Sequence, residues 1–128
     1  KIREKTMETL KILLVDDEND VVDFLRDFLE LKGYSDVETA TSGQEALNII
    51  SSKKPRFAFL DIQLADEING IEVLKRTRDL SSDTKVVMIS GYRKEFFKTA
   101  LALGAIGFIA KPVKKNELNE MISLLSQT

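Results

Sequence analysis

The sequence predicts an α/β domain with a doubly wound parallel sheet. Two observations carry the prediction. Five short apolar runs alternate strictly with five amphipathic segments along the 128 residues. The runs are apolar throughout rather than at every second position, as expected of strands covered by helices on both faces. One domain fits this length. A chain of this size buries roughly two thirds of its unfolded surface, enough for a core without staples.

The elements follow in order. After a polar lead-in over residues 1–10, Lys11 to Val15 reads as a buried strand that stops at Asp16, Asp17 and Glu18. From Asn19 to about Lys32, Val21, Phe24, Leu25, Phe28 and Leu31 recur at helical spacing, and Gly33 is a natural stop. Asp36 to Ala40 is a short second strand, and Ser42 with Glu45 forms a capping box that opens a helix through Ile50. Phe57 to Leu60 is a third strand ended by Asp61, and a loop through Asn69 and Gly70 leads to a helix carrying Ile71, Val73 and Leu74. Val86 to Ile89 is a fourth strand, ended by Ser90 and Gly91. A helix from about Glu95 to Leu103 precedes a fifth strand, Ile106 to Ile109, which runs out at Lys111 and Pro112. The last helix places Leu118, Met121, Ile122 and Leu125 on one face. No internal repeat or low-complexity tract interrupts residues 11–126, so they are expected to form a single domain.

Composition removes many function classes. The chain has no Cys and no His, which excludes thiolate and imidazole metal sites and imidazole acid/base catalysis. Carboxylate ligands alone favour hard cations such as Mg²⁺ or Ca²⁺. A net charge of −2 from 19 basic and 21 acidic residues spread along the chain gives no footprint for nucleic acid or anionic lipid. Lys111, Lys114 and Lys115 are too few for such a claim, and the last two read as a solvated face. No apolar run approaches a membrane span, and the charged opening is not a signal peptide, so a cytoplasmic location is expected. Lys1 in place of Met suggests a cut piece or a missing true start.

In open parallel sheets the ligand site lies beyond the carboxyl ends of the strands, near the point where strand order reverses. The first strand ends on Asp16 and Asp17, the third on Asp61, the fourth on Ser90 and the fifth on Lys111, while the second runs out at Thr41 toward the edge. Carboxylates on neighbouring strand ends repel, at roughly 4 kcal/mol per pair for a 4 Å separation and an effective dielectric near 20. A cation is therefore expected among them, and oxygen ligands with several waters suit Mg²⁺. Mg²⁺ and Lys111 together suit a dianionic phosphoryl group, with Ser90 donating a hydrogen bond to it. Ser90 has no neighbouring base to activate it, which leaves Asp61 as the nucleophile and an acyl phosphate as the product. Read alone, Asp16 to Glu18 could be acids favoured at a helix start, Asp61 a loop acid, Ser90-Gly91 a turn, and Phe108 plain core.

These residues resemble the receiver domain of two-component response regulators. The resemblance runs from Lys11 to Leu125 and rests on Leu13-Leu14-Val15-Asp16-Asp17-Glu18, Leu60-Asp61-Ile62, Met88-Ile89-Ser90-Gly91, and Gly104-Ala105 followed by Phe108-Ile109-Ala110-Lys111-Pro112. Each piece alone is weak, but their order and spacing are highly specific. The resemblance implies a flavodoxin-like sheet of order 2-1-3-4-5 with five helices. It implies that Asp17 and Asp61 bind Mg²⁺ directly, Asp16 acts largely through water, and the backbone carbonyl of Gln63 completes the protein ligands. It further implies that Asp61 accepts phosphate from a histidine kinase or histidine phosphotransfer protein, that Ser90 and Lys111 contact the phosphoryl group, that Ser90 and Phe108 form the switch, and that the Lys111–Pro112 bond is cis. Such a domain controls a downstream protein or an attached output domain, and catalyses only its own phosphoryl transfer and dephosphorylation. Without an acidic pair at Ile106-Gly107, a monomer or weak homodimer is expected.

Two departures stand out. Ala65 occupies the place of a usual Pro, and Gly70 comes one residue late, so the loop after Asp61 is expected to be remodelled. Tyr92, bulky and two residues after Ser90, is expected to shield the acyl phosphate. Among rival functions, an Asp-nucleophile phosphatase would need a second Asp where Gln63 stands. A flavin module would need a phosphate-cradling loop in place of the acids after the first strand. A docking domain of the same fold that works without phosphorylation is the remaining alternative.

Overall fold

The computed structural model describes residues 10–64, 67–91 and 94–126. Five strands, β1 (Ile12–Val15), β2 (Val37–Ala40), β3 (Phe57–Asp61), β4 (Lys85–Ser90) and β5 (Gly107–Ala110), alternate with helices α1 (Asn19–Leu31), α2 (Gly43–Lys53), α3 (Gly70–Leu80), α4 (Lys94–Ala102) and α5 (Lys115–Ser126). The sheet is parallel throughout, in the order β2-β1-β3-β4-β5. Strand order reverses between β1 and β3, as the sequence and its resemblance led one to expect.

The unbroken apolar strands resolve into two faces with a period of two. Leu13, Val15, Ala58, Leu60, Val86 and Met88 pack with Leu47 and Ile50 of α2, Val73 and Leu74 of α3, and Ala100 of α4. The intervening Ile12, Leu14, Phe59, Val87, Ile89 and Ile109 pack with Val22, Leu25 and Leu29 of α1 and Leu118 of α5. Three helices therefore cover one face and two the other, which explains why neither side chain set is polar.

Local signals set the helix ends, with small shifts from expectation. Ser42 Oγ accepts from the Glu45 amide at 3.1 Å, but the Glu45 carboxylate accepts from the Thr41 amide at 3.0 Å, one residue before the cap. The reciprocal half of the capping box has slipped outward by one position. α2 runs three residues past Ile50 and ends at Lys54, whose φ of 47° is left-handed. β5 starts at Gly107 rather than Ile106, whose side chain stays exposed. The Lys111–Pro112 peptide is cis. Among the described residues no helix is long and apolar enough to cross a membrane.

Candidate functional site

Parallel register brings the strand ends into one row. Val15 pairs with Leu60, Asp61 with Ile89, and Ser90 with Ala110. The residues that follow or close these strands, Asp16, Asp61, Ser90 and Lys111, therefore converge at the switch point. Asp16, Asp61 and Ser90 are buried, at 2%, 4% and 0% exposure. Each buried acid also folds its own turn, because Asp16 Oδ1 accepts from the Glu18 amide at 2.9 Å and Asp61 Oδ1 from the Gln63 amide at 3.2 Å.

The Lys111 ammonium is shared by three carboxylates, at 2.6 Å from Glu18 Oε1, 3.0 Å from Asp16 Oδ2 and 3.1 Å from Asp61 Oδ2. Asp16 Oδ2, which is buried, meets Lys111 as an ion pair at 3.0 Å and has no aligned hydrogen-bond donor among the described residues. Carboxylate oxygens of Asp16, Glu18 and Asp61 lie within 4.8 Å of one another. Two buried acids beside a third, one of their oxygens without a hydrogen bond, form a donor set that fits a hard, hydrated cation. Asp17 is exposed and stands outside that trio, as does the exposed side chain of Gln63.

The electrostatics reflect this crowding. Burial, reinforced by the neighbouring Asp16 charge, pushes Asp61 up from its ordinary 3.8 to about 6, against the opposing pull of Lys111. Burial alone would lower the Lys111 ammonium, but its contacts with Glu18, Asp16 and Asp61 outweigh that and hold it well above its ordinary value.

The loop after Asp61 is anchored by two glycines. A Cβ on Gly70 would lie 2.1 Å from the Asp61 carbonyl oxygen, and one on Gly43 would lie 2.1 Å from the Ile68 carbonyl oxygen. Gly70 also donates its amide to the Ile62 carbonyl at 2.8 Å. The glycine that comes one residue late thus makes a close approach to the end of β3. Ala65 and Tyr92 lie outside the described residues.

Phe108 is half-buried on β5, its ring edge-on to exposed Phe97 of α4 at 5.6 Å and 76°. Phe96 packs against the core, so the Phe96-Phe97 pair divides between interior and surface. Sequence reasoning missed one member of the site. Glu18 was read only as part of an acidic run, yet it makes the shortest contact to Lys111. The signal available was the turn itself, since an acid at a strand end binds the amide two residues on and brings that residue to the rim.

Comparison with known proteins agrees with this geometry. The family model described as the response regulator receiver domain matches residues 12–123. The alkaline phosphatase synthesis transcriptional regulatory protein PhoP of Bacillus subtilis is 38% identical over 116 residues, covering 90% of this chain and 48% of that protein. A CheY-like response regulator receiver domain protein from Methanospirillum hungatei superposes with a TM-score of 0.84 at 34% identity, over 93% of this chain and 95% of that one. A Burkholderia pseudomallei response regulator, solved with a phosphorylated aspartic acid, calcium ion and citrate, gives a TM-score of 0.76 at 27% identity, over 84% of this chain and 63% of that one. The chain spans about half the length of the curated relatives it matches.

Proposed function

Because this chain belongs to the response regulator receiver domain family, we propose that Asp61 is its phosphoacceptor and that phosphorylation switches the surface around β5. The observation that carries this reading is the Lys111 ammonium, 3.1 Å from a buried Asp61 carboxylate fifty positions away in sequence. A cation at the nucleophile's side is placed to meet the oxygens of an incoming phosphoryl group.

The phosphoryl transfer balances simply. An Asp61 oxygen attacks phosphorus, the bond from phosphorus to the donor breaks, and the donor leaves with its electron pair. With a histidine kinase or phosphotransfer protein as donor, that bond is P–N. Lys111 and Ser90 then contact phosphoryl oxygens. Asp16, Asp17, Asp61 and the Gln63 backbone carbonyl would hold Mg²⁺, which neutralises negative charge on the acid cluster and the transferring group. The calcium ion and phosphorylated aspartic acid of the Burkholderia pseudomallei relative support this assignment by analogy.

The phosphoryl group brings a charge of about −1.5 to −2 and strong acceptors, which draw Ser90 inward. Phe108 then turns into the space Ser90 leaves, and the face formed by α4, β5 and α5 changes shape for a downstream protein or an attached output domain. The domain works in the cytoplasm as a monomer or weak homodimer and performs no reaction beyond its own phosphoryl chemistry.

Intact-mass measurement after incubation with acetyl phosphate and Mg²⁺ tests the reading. A Mg²⁺-dependent gain of one phosphoryl mass in the parent and none in Asp61→Asn is expected. A gain in both proteins would remove Asp61 as acceptor, and no gain in either, with a cognate kinase also failing, would favour a docking domain that works without phosphorylation.

A further inference from the structure

We propose that Glu18 is a positioning residue for Lys111, an outer carboxylate onto which the ammonium withdraws when a divalent cation enters the acid cluster. The inference rests on the reading that this acid group holds Mg²⁺.

A divalent cation held at this cluster would compete with the Lys111 ammonium for its negative charge. Asp16 Oδ2 and Asp61 Oδ2, the atoms facing Lys111, belong to the two buried carboxylates of the trio. Like charges a few ångströms apart in a partly buried site repel strongly, so an entering cation drives the ammonium outward. Departure into open solvent would strip Lys111 of its partners in a site where it is only 18% exposed. Glu18 provides the alternative. Its carboxylate is 60% exposed, lies at the rim, and already makes the shortest of the three contacts, at 2.6 Å.

The surroundings support an outward movement. Glu18 and Lys111 both line a groove of about 490 Å³ whose other walls include Val21, Phe24 and Val113, so the ammonium has space on that side. The four-carbon stem of Lys moves without loss of hydrogen-bonding geometry, since its three donors rotate freely. Glu18 is itself held near the site, because its amide donates to Asp16 Oδ1 at 2.9 Å. The acid that needs its partner removed thus fixes the acid that receives that partner. Glu18 is the N-cap of α1 but its side chain caps nothing there, so exchanging the carboxylate leaves the helix start intact.

A double-mutant cycle on Mg²⁺ affinity, measured by titration calorimetry with no phosphoryl donor present, tests this. The proteins are the full chain, E18Q, K111M and the double variant, each checked for folding by circular dichroism. E18Q is expected to weaken Mg²⁺ binding about five- to tenfold in the parent and less than about twofold in the K111M background, a coupling of the size seen for contacting charges. An equal loss in both backgrounds would make Glu18 a ligand or a bare charge and overturn the proposal, as would no loss in either. If the cycle is uncoupled while acetyl phosphate still labels Asp61, this inference alone fails. If the parent binds no Mg²⁺ and takes up no phosphoryl group, the functional reading fails with it.

Discussion

Removing the Asp61 charge should stabilise the domain. Asp61 is 4% exposed and lies close to Asp16, and the two effects together lift it from 3.8 to about 6 despite Lys111. Between those values the folded chain holds a proton that the unfolded chain has released. Asp61's contribution to stability is therefore fully present below about pH 3.8 and lost as the pH rises through about 6. A displacement of that size corresponds to about 3 kcal/mol, reduced to about 1–2 kcal/mol because the site opens to solvent through Lys111. Asp61→Asn keeps the shape and removes the charge, so at pH 7.5 without Mg²⁺ it should gain about 1–2 kcal/mol, or about 3–6 °C in Tm. At pH 4 the gain should nearly vanish, since the parent is then protonated too. Urea unfolding of both proteins at pH 4, 6 and 7.5, with EDTA throughout, measures the difference. A variant less stable than the parent at pH 7.5, or a difference independent of pH, would refute the argument, because the Lys111 pair would then dominate over burial and repulsion.

Three further outcomes follow from the same geometry. Gly70→Ala should cost about 3 kcal/mol or more in urea unfolding, as a Cβ 2.1 Å from the Asp61 carbonyl oxygen forces overpacking or displacement of the acceptor strand; a loss below about 1 kcal/mol would show that the loop yields cheaply. Lys111→Ala should move the Asp61 titration upward from about 6, because the main opposing cation is gone; carboxyl ¹³C shifts in metal-free buffer read this directly, and an unchanged midpoint would contradict the assigned pairing. Phe108→Ala should lose about 1–3 kcal/mol of stability for a half-buried ring and leave phosphoryl uptake intact while weakening phosphorylation-dependent partner binding; partner affinity equal to the parent's would remove Phe108 from the switch.

The architecture was legible because the relevant signals are short-range and redundant. Apolar runs such as Leu13-Leu14-Val15 and Phe57 to Leu60, alternating with amphipathic segments, point to strands covered on both sides, whereas the order 2-1-3-4-5 was implied by the family resemblance and not by the runs themselves. Convergence of Asp16, Asp61, Ser90 and Lys111 followed from the same logic, since residues ending parallel strands share one edge. What escaped was side-chain detail that depends on packing between distant segments. No spacing rule says that Glu18 rather than Asp17 meets Lys111, 93 positions away, because the turn that decides it is closed by a buried carboxylate oxygen. Likewise the late Gly70 predicted a remodelled loop, but no sequence rule announces the close approach Gly70 makes to the Asp61 carbonyl.

The sharing of one ammonium among three acids gives the site its sensitivity. Lys111 alone cannot neutralise Asp16, Glu18 and Asp61, so this trio retains net negative charge and an acceptor whose ionisation is disfavoured. Such a pocket is least comfortable when empty and ionised, and any positive charge that enters relieves it. On the proposed function, cation entry would lower Asp61 back toward a ready carboxylate, and phosphoryl transfer would then give Lys111 a new partner at its original place. Each event would change where the ammonium sits, and Lys111 follows directly from β5, the strand that carries Phe108. A displacement at the acid cluster is therefore mechanically close to the exposed face near Phe97. On this view the cost of burying two like charges maintains a resting state whose energy falls on activation, and a site with one acid fewer would be more stable and switch less.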